Sequence, residues 1–158
     1  MIFVTVGTQK FQFNRLLYEI DRLISEGCIS EKVICQSGYS TYRSKFYQEV
    51  PFMSKKKYEK YIQECRILVT HAGVGTILSA KKLNKAVIVV PRLSKYKEHV
   101  DDHQLQIAEG FGRKKLVFVS NVDQLGDKLK DAKKCSLLAY PFNKDNFNFK
   151  LYEILRNI

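Results

Sequence analysis

Short β-branched runs alternating with helix-spaced patterns constrain this chain more than any other feature. "IFVTV" (2–6), "KVICQ" (32–36), "RILVTH" (66–71), "AVIVV" (86–90) and "LVFVS" (116–120) are nearly continuous in apolarity. Such runs read as strands covered on both faces. Between them, Phe13, Leu16, Leu17, Ile20, Leu23 and Ile24 repeat at helix spacing up to Gly27, a C-terminal stop. Ser54 caps a helix carrying Tyr58, Tyr61, Ile62 and Cys65, and Ser120 with Asp123 reads as a capping box for a helix through Leu125 and Leu129. Strands alternating with helices build right-handed βαβ units. The expected fold is therefore α/β, a Rossmann-like doubly wound parallel sheet in a single domain over residues 1–158, with its core at about 1–130. The pattern breaks at "YPFN" within 131–146, before a last amphipathic helix at about 146–156.

Composition narrows the partners more than the fold. A formal net charge of +11 predicts attraction to phosphates, nucleic acid or an anionic membrane surface, or simply a basic soluble surface. The Lys-rich stretch at 54–60 reads as a solvated helix face. Cys28, Cys35, Cys65 and Cys135 are scattered without a CxxC pair, so free buried thiols in a reducing compartment are expected, with no zinc or dithiol site. The opening "MIFVTVG" is too short for a signal sequence, and no later segment has the length of a membrane span. A cytoplasmic protein follows, with peripheral membrane contact.

In a sheet of this class ligands bind beyond the carboxyl ends of the strands, so the loops after each strand carry the candidates. After the first strand come Gly7, Thr8 and Gln9, a flexible turn with polar side chains. "SGYS" (37–40) follows the second and is again small and polar. "THAGVGTILSA" (70–80) places Gly73 and Gly75 around Val74 before a helix opening at Thr76. A glycine turn feeding a helix N-terminus presents free amides and a positive dipole end, which suits a phosphate or diphosphate. Packing alone also produces such turns. The dinucleotide fingerprint lacks its third glycine here, and no GK[ST] follows to make a P-loop.

The densest polar cluster is "PRLSKYKEHVDDHQ" (91–104). His99 and His103, spaced i, i+4, would share a helix face near Glu98, Asp101 and Asp102, a spacing open to metal. Val100 stands where HExxH would need its glutamate, so no metal is expected, and the cluster reads as a capped helix start or as contacts to sugar or phosphate. His71 is either a hydrogen-bonded core residue or a donor to an anion, and Arg92 either a phosphate contact or a salt-bridge partner of Asp101 or Asp102.

Taken together, "VTVGTQ" ending at Gln9, "QSG" at 36–38, "THAGVGTIL" at 70–78 and "PRxxxxxEHVDDHQ" ending at Gln104 resemble the C-terminal, donor-binding half of family 28 glycosyltransferases of the GT-B fold. Similar stand-alone chains include the catalytic subunit of the N-glycan UDP-N-acetylglucosamine transferase and capsule or exopolysaccharide galactosyl- and glucuronosyltransferase subunits. The resemblance spans about 1–119. It implies a half-enzyme whose partner is a membrane-anchored subunit carrying a lipid-linked saccharide acceptor. Carried over residue by residue, it puts the UDP diphosphate at Gly73, Val74, Gly75 and Thr76, with Thr8 and Ser37 in loops lining the same cleft. Met53 matches a position whose backbone pairs with uracil, and His103 and Gln104 match two contacts to the donor sugar. Ser79 stands where the family often has a ribose-binding Glu, a departure that puts donor affinity in question. Gly7, Gln9, Gly38, His71 and Arg92 complete the expected UDP-sugar site.

The resemblance implies an inverting transfer from a UDP-sugar, by the likeness of residues 4–16 to capsule subunits UDP-galactose, to a polyprenyl-diphosphate-linked saccharide. A helix N-terminus can stabilise the departing diphosphate without a metal or other cofactor. The general base is expected on the partner, with His99 or Asp102 as the candidates on this chain. Two other classes stay open. One is a non-catalytic nucleotide-sugar-binding or regulatory subunit. The other is an RNA-binding protein, against which stand the absence of RRM and KH signatures and the dispersed lysines; no nucleic acid partner is expected.

Overall fold

The computed structural model describes residues 1–134. The expected C-terminal helix lies outside the described residues, as does Cys135. Among the described residues six parallel strands form one sheet in the order β3-β2-β1-β4-β5-β6, built from β1 (Ile2–Thr5), β2 (Val33–Gln36), β3 (Gln48–Val50), β4 (Ile67–Thr70), β5 (Ala86–Val89) and β6 (Phe118–Val119). Register is fixed by the central strands, with Ile2 opposite both Val33 and Ile67, and Thr5 opposite Gln36 and Thr70. The doubly wound parallel sheet expected from the alternating pattern is thus present.

Among the described residues five α-helices cover it: α1 (Asn14–Ser25), α2 (Lys55–Glu64), α3 (Val74–Lys82), α4 (His103–Arg113) and α5 (Leu125–Lys134). Alternate strand residues feed opposite faces. Val4, Val69 and Ile88 pack with Leu16, Leu17 and Ile20 of α1 and Leu125 and Leu129 of α5. Phe3, Leu68 and Val87 pack with Ile62 of α2, Ile77 of α3 and Phe111 of α4. Burial on both faces explains why the strands read as continuous apolar runs rather than alternating ones. Among the described residues no helix is long and apolar enough to cross a membrane.

Several local expectations are corrected. Ser54 does cap α2, accepting from the Lys57 amide at 3.4 Å. The capping box at Ser120 does not form: the Ser120 hydroxyl donates to the Asn121 carbonyl at 2.6 Å, and a 3₁₀ turn over Val122–Gln124 precedes α5. The edge strand β3 had no sequence signal. Cys35 and Cys65 are buried free thiols, and burial pushes Cys65 up to about 11, but Cys28 is exposed.

Candidate functional site

The sheet order reverses between β1 and β4, and the carboxyl ends of these neighbours leave a crevice where their following segments diverge. A cleft of about 720 Å³ opens there. Gly7, Thr8 and Gln9 line it from the β1 side, Met53, Lys55 and Tyr58 from the start of α2, and His99, His103 and Gln104 from the loop into α4. Its floor is the turn from His71 into α3, through Thr76 and Ser79. Among the described residues the lining carries no Asp or Glu, so nothing in it repels an anion.

Helix α3 starts at Val74, two residues before the expected Thr76. Its N-cap, Gly73, has no side chain to cap with, and no acidic residue occupies the first turn. The amides of Val74, Gly75 and Thr76 therefore keep the unpaired N–H groups and positive end of a bare helix start, at the cleft surface. The two glycines of this turn serve different ends. A Cβ on Gly73 would stand 2.4 Å from His71 Nε2, so Gly73 clears the imidazole. A Cβ on Gly75 would meet nothing within 4 Å, so the space beside Gly75 is required by neither packing nor backbone strain.

His71 is wedged between the glycine turns after β1 and β4, since a Cβ on Gly7 would also meet its ring at 2.7 Å. Gly7 has φ 81°, the left-handed region where glycine is favoured. Burial, reinforced by the Arg92 charge, pushes His71 down to about 4, so the ring is neutral at physiological pH.

The loop between β5 and α4 is moored by a buried carboxylate. Glu98, fully buried, takes a bidentate pair from Arg15 at 3.0 and 2.9 Å and the Leu93 amide at 3.1 Å. The Arg15 guanidinium lies 4.4 Å from the centre of the Tyr96 ring, and Gln12 donates to the Tyr96 carbonyl at 3.0 Å. Buried Gln104 accepts through Oε1 from the amides of Ala72 (3.3 Å) and Arg92 (3.1 Å), which fixes its amide orientation and leaves Nε2 as the group free to donate toward the cleft.

Most of the expected site residues come together in this cleft. Three do not. Arg92 is 1% exposed, donates to the Val6 carbonyl and lies 5.6 Å from the Phe13 ring centre, so it neither lines the cleft nor pairs with Asp101 or Asp102. Ser37 is fully buried and Gly38 packs against the Gly7 carbonyl, both behind the wall. Ser79 lines the cleft, but its hydroxyl proton is donated to the Gly75 carbonyl at 2.8 Å, leaving an acceptor for any ligand. Asp102 is occupied by the Ser94 amide at 2.8 Å and is not on the lining. His99 and His103 do not share a helix face, because α4 starts at His103. Among the described residues no cluster of three or more His, Cys, Asp or Glu could hold a metal.

Sequence reasoning passed over Lys55, Tyr58 and Ile107 on the lining. Tyr58 meets the Thr76 hydroxyl at 2.9 Å, joining α2 to the start of α3. Their signal is only spatial, arising from packing between elements remote in sequence.

The glycosyltransferase family 28 C-terminal domain matches residues 1–158. The UDP-N-acetylglucosamine transferase subunit ALG13 of Candida albicans is 26% identical over 88 residues, covering 56% of this chain and 29% of that protein. The solution structure of ALG13 superposes with a TM-score of 0.63 at 20% identity, over 98% of this chain and 96% of that one. The calicheamicin glycosyltransferase CalG4 gives 0.60 at 16% identity over 99% of this chain, which spans only 38% of CalG4. These structural likenesses establish a shared fold, which makes up nearly the whole of the ALG13 chain and only part of CalG4. With the family pattern matched along its whole length, the chain belongs to glycosyltransferase family 28, of which it carries the C-terminal domain.

Proposed function

We infer that this chain binds the UDP end of a nucleotide-sugar donor in the cleft at β1 and β4, and acts as the donor half of an inverting glycosyltransferase. The observation that carries the reading is Gly75, a helical glycine beside open space at a bare helix N-terminus. Alanine there would favour the helix by up to about 1 kcal/mol, so the open position suits close backbone approach by a diphosphate. The diphosphate would lie on the amides of Val74, Gly75 and Thr76, the Thr76 hydroxyl adding a contact. Met53 and Ser79 lie toward the nucleoside and His103 and Gln104 toward the sugar. Negative charge growing on the departing UDP is met by fixed N–H donors rather than by solvent, which lowers the barrier without reorganisation.

The other wall of the cleft would come from a membrane-anchored subunit that holds a polyprenyl-diphosphate-linked saccharide. The ALG13 relative is named as a subunit of its transferase, which supports a two-part enzyme. UDP-galactose is the proposed donor, in cell-surface polysaccharide synthesis. The test is thermal unfolding of the chain with UDP and with millimolar UDP-galactose, UDP-glucose and UDP-N-acetylglucosamine. A ligand at about 100 times its Kd adds about 2.7 kcal/mol and raises the midpoint. Protection by UDP that Gly75→Asp abolishes supports the reading, and UDP-galactose should protect most among the sugars. No protection, with or without the co-expressed partner, refutes it.

A further inference from the structure

The chain has three histidines and all three line the cleft. His71 is held neutral between two glycine turns and is too weak a base to take a proton near neutral pH. His103 Nδ1 meets a neutral amide, 3.2 Å from Gln106 Oε1, and it is the backbone amide of His103, not its ring, that bonds to Asp101. His99 differs from both: its Nδ1 lies 3.0 Å from Asp101 Oδ1. The Asp101 amide also approaches the same nitrogen, at 3.4 Å. The shorter contact decides the tautomer, because an unprotonated Nδ1 would set its lone pair against a carboxylate oxygen at hydrogen-bond distance. Nδ1–H donating to Asp101 leaves the lone pair on Nε2.

The surroundings hold this pair in place. The Phe11 ring lies against the imidazole, with centroids 5.6 Å apart. Asp101 Oδ1 also accepts the His103 amide at 3.0 Å, which ties the carboxylate to the first residue of α4. The residue before His99 is Glu98, buried and paired to Arg15. An imidazole oriented by a carboxylate, on a moored loop at a cleft, is the arrangement of a general base and its orienting group.

Building on the donor-cleft reading, we propose that His99 is the general base of the transfer and Asp101 its positioning residue, so that this half of the enzyme supplies the proton acceptor as well as the donor site. In the step, the acceptor hydroxyl oxygen bonds to the anomeric carbon of the donor sugar. The bond from that carbon to the β-phosphate oxygen breaks, and its electron pair leaves with UDP. The hydroxyl proton passes to His99 Nε2, while Asp101 stabilises the imidazolium and stays ionised. The charged and titratable groups around His99 are Asp101 and the Arg15-paired Glu98 on its own loop, His103 at the start of α4, which shares the Asp101 carboxylate, and His71 across the cleft.

The test uses membranes from cells deleted for this chain, which retain partner and acceptor whatever their identity. Purified full-length chain is added with radiolabelled UDP-galactose, UDP-glucose or UDP-N-acetylglucosamine, and label entering lipid is counted across pH 5–9. Wild type should restore incorporation. His99→Gln should lower the rate by about 10²–10⁴-fold while UDP affinity, measured by calorimetry, changes less than about threefold. Asp101→Asn keeps an acceptor for the His103 amide but loses the charge; it should lower the rate less and shift the acid limb of the pH profile downward. Restoration by His99→Gln to within threefold of wild type, or an Asp101→Asn profile superimposable on wild type, would overturn the dyad alone. Failure of wild type to bind UDP and to restore incorporation would instead bring down the donor-cleft reading and the dyad with it.

Discussion

At Gly73 and Gly75 the same residue type has two different reasons to be present, and substitution separates them. Gly73→Ala drives a methyl into the His71 ring, 2.4 Å from Nε2, and should cost roughly 1–3 kcal/mol of stability. Gly75→Ala meets no atom and should leave stability unchanged or raise it by up to about 1 kcal/mol, while weakening UDP at least tenfold. Urea unfolding and UDP calorimetry on the two variants check this; parallel losses in both would contradict it. His71 makes a prediction of its own. Its folded pKa of about 4 lies below the ordinary value of 6.5, so below 6.5 the unfolded chain binds a proton that the folded chain refuses. Stability should therefore fall as pH drops from about 6.5 toward 4, by on the order of 3 kcal/mol in full. His71→Gln should flatten that loss in urea midpoints measured at pH 7.5 and 4.5, and an unchanged pH slope would count against a neutral, partly buried imidazole.

Among elements, the loop from β5 to α4 depends on one buried ion pair. Arg15→Ala strands the Glu98 carboxylate at 0% exposure and should cost about 3 kcal/mol. It should also speed amide exchange over 93–102 more than elsewhere, which hydrogen exchange read by mass spectrometry would detect. This loop was legible in sequence as a polar cluster and illegible in its wiring. Nothing in "KEHVDD" distinguishes Glu98, which faces Arg15 on a remote helix, from the two aspartates that remain exposed. The i, i+4 spacing of His99 and His103 suggested one helix face, but α4 begins only at His103. Likewise β3 escaped notice because "QEV" is a three-residue edge strand with no buried residue, and such a strand has no apolar run to show.

Over the whole molecule, the doubly wound parallel sheet was legible from apolar strands alternating with amphipathic helices, its strand order was not, and the cleft follows from the point where that order reverses. The glycine turn was legible because a helix start without a cap leaves a mark in sequence. Lys55 and Tyr58 were not, because they reach the cleft only through the packing of α2 beside α3. Arg92 misled for a similar reason: its place directly after a strand suggested a ligand contact, whereas its side chain turns inward to the Val6 carbonyl and the Phe13 ring. A basic chain whose cleft lining has no carboxylate, with the uncapped start of α3 on that lining, supports the proposal that the site takes an anion. The most direct test is a nitrogen–proton correlation titration of the labelled chain with UDP. Saturable shifts are expected, centred on the amides of Val74, Gly75 and Thr76 and moving downfield as they donate to phosphate, with smaller shifts at Met53 and Gln104. Shifts absent from the start of α3, or concentrated away from this cleft, would contradict that proposal.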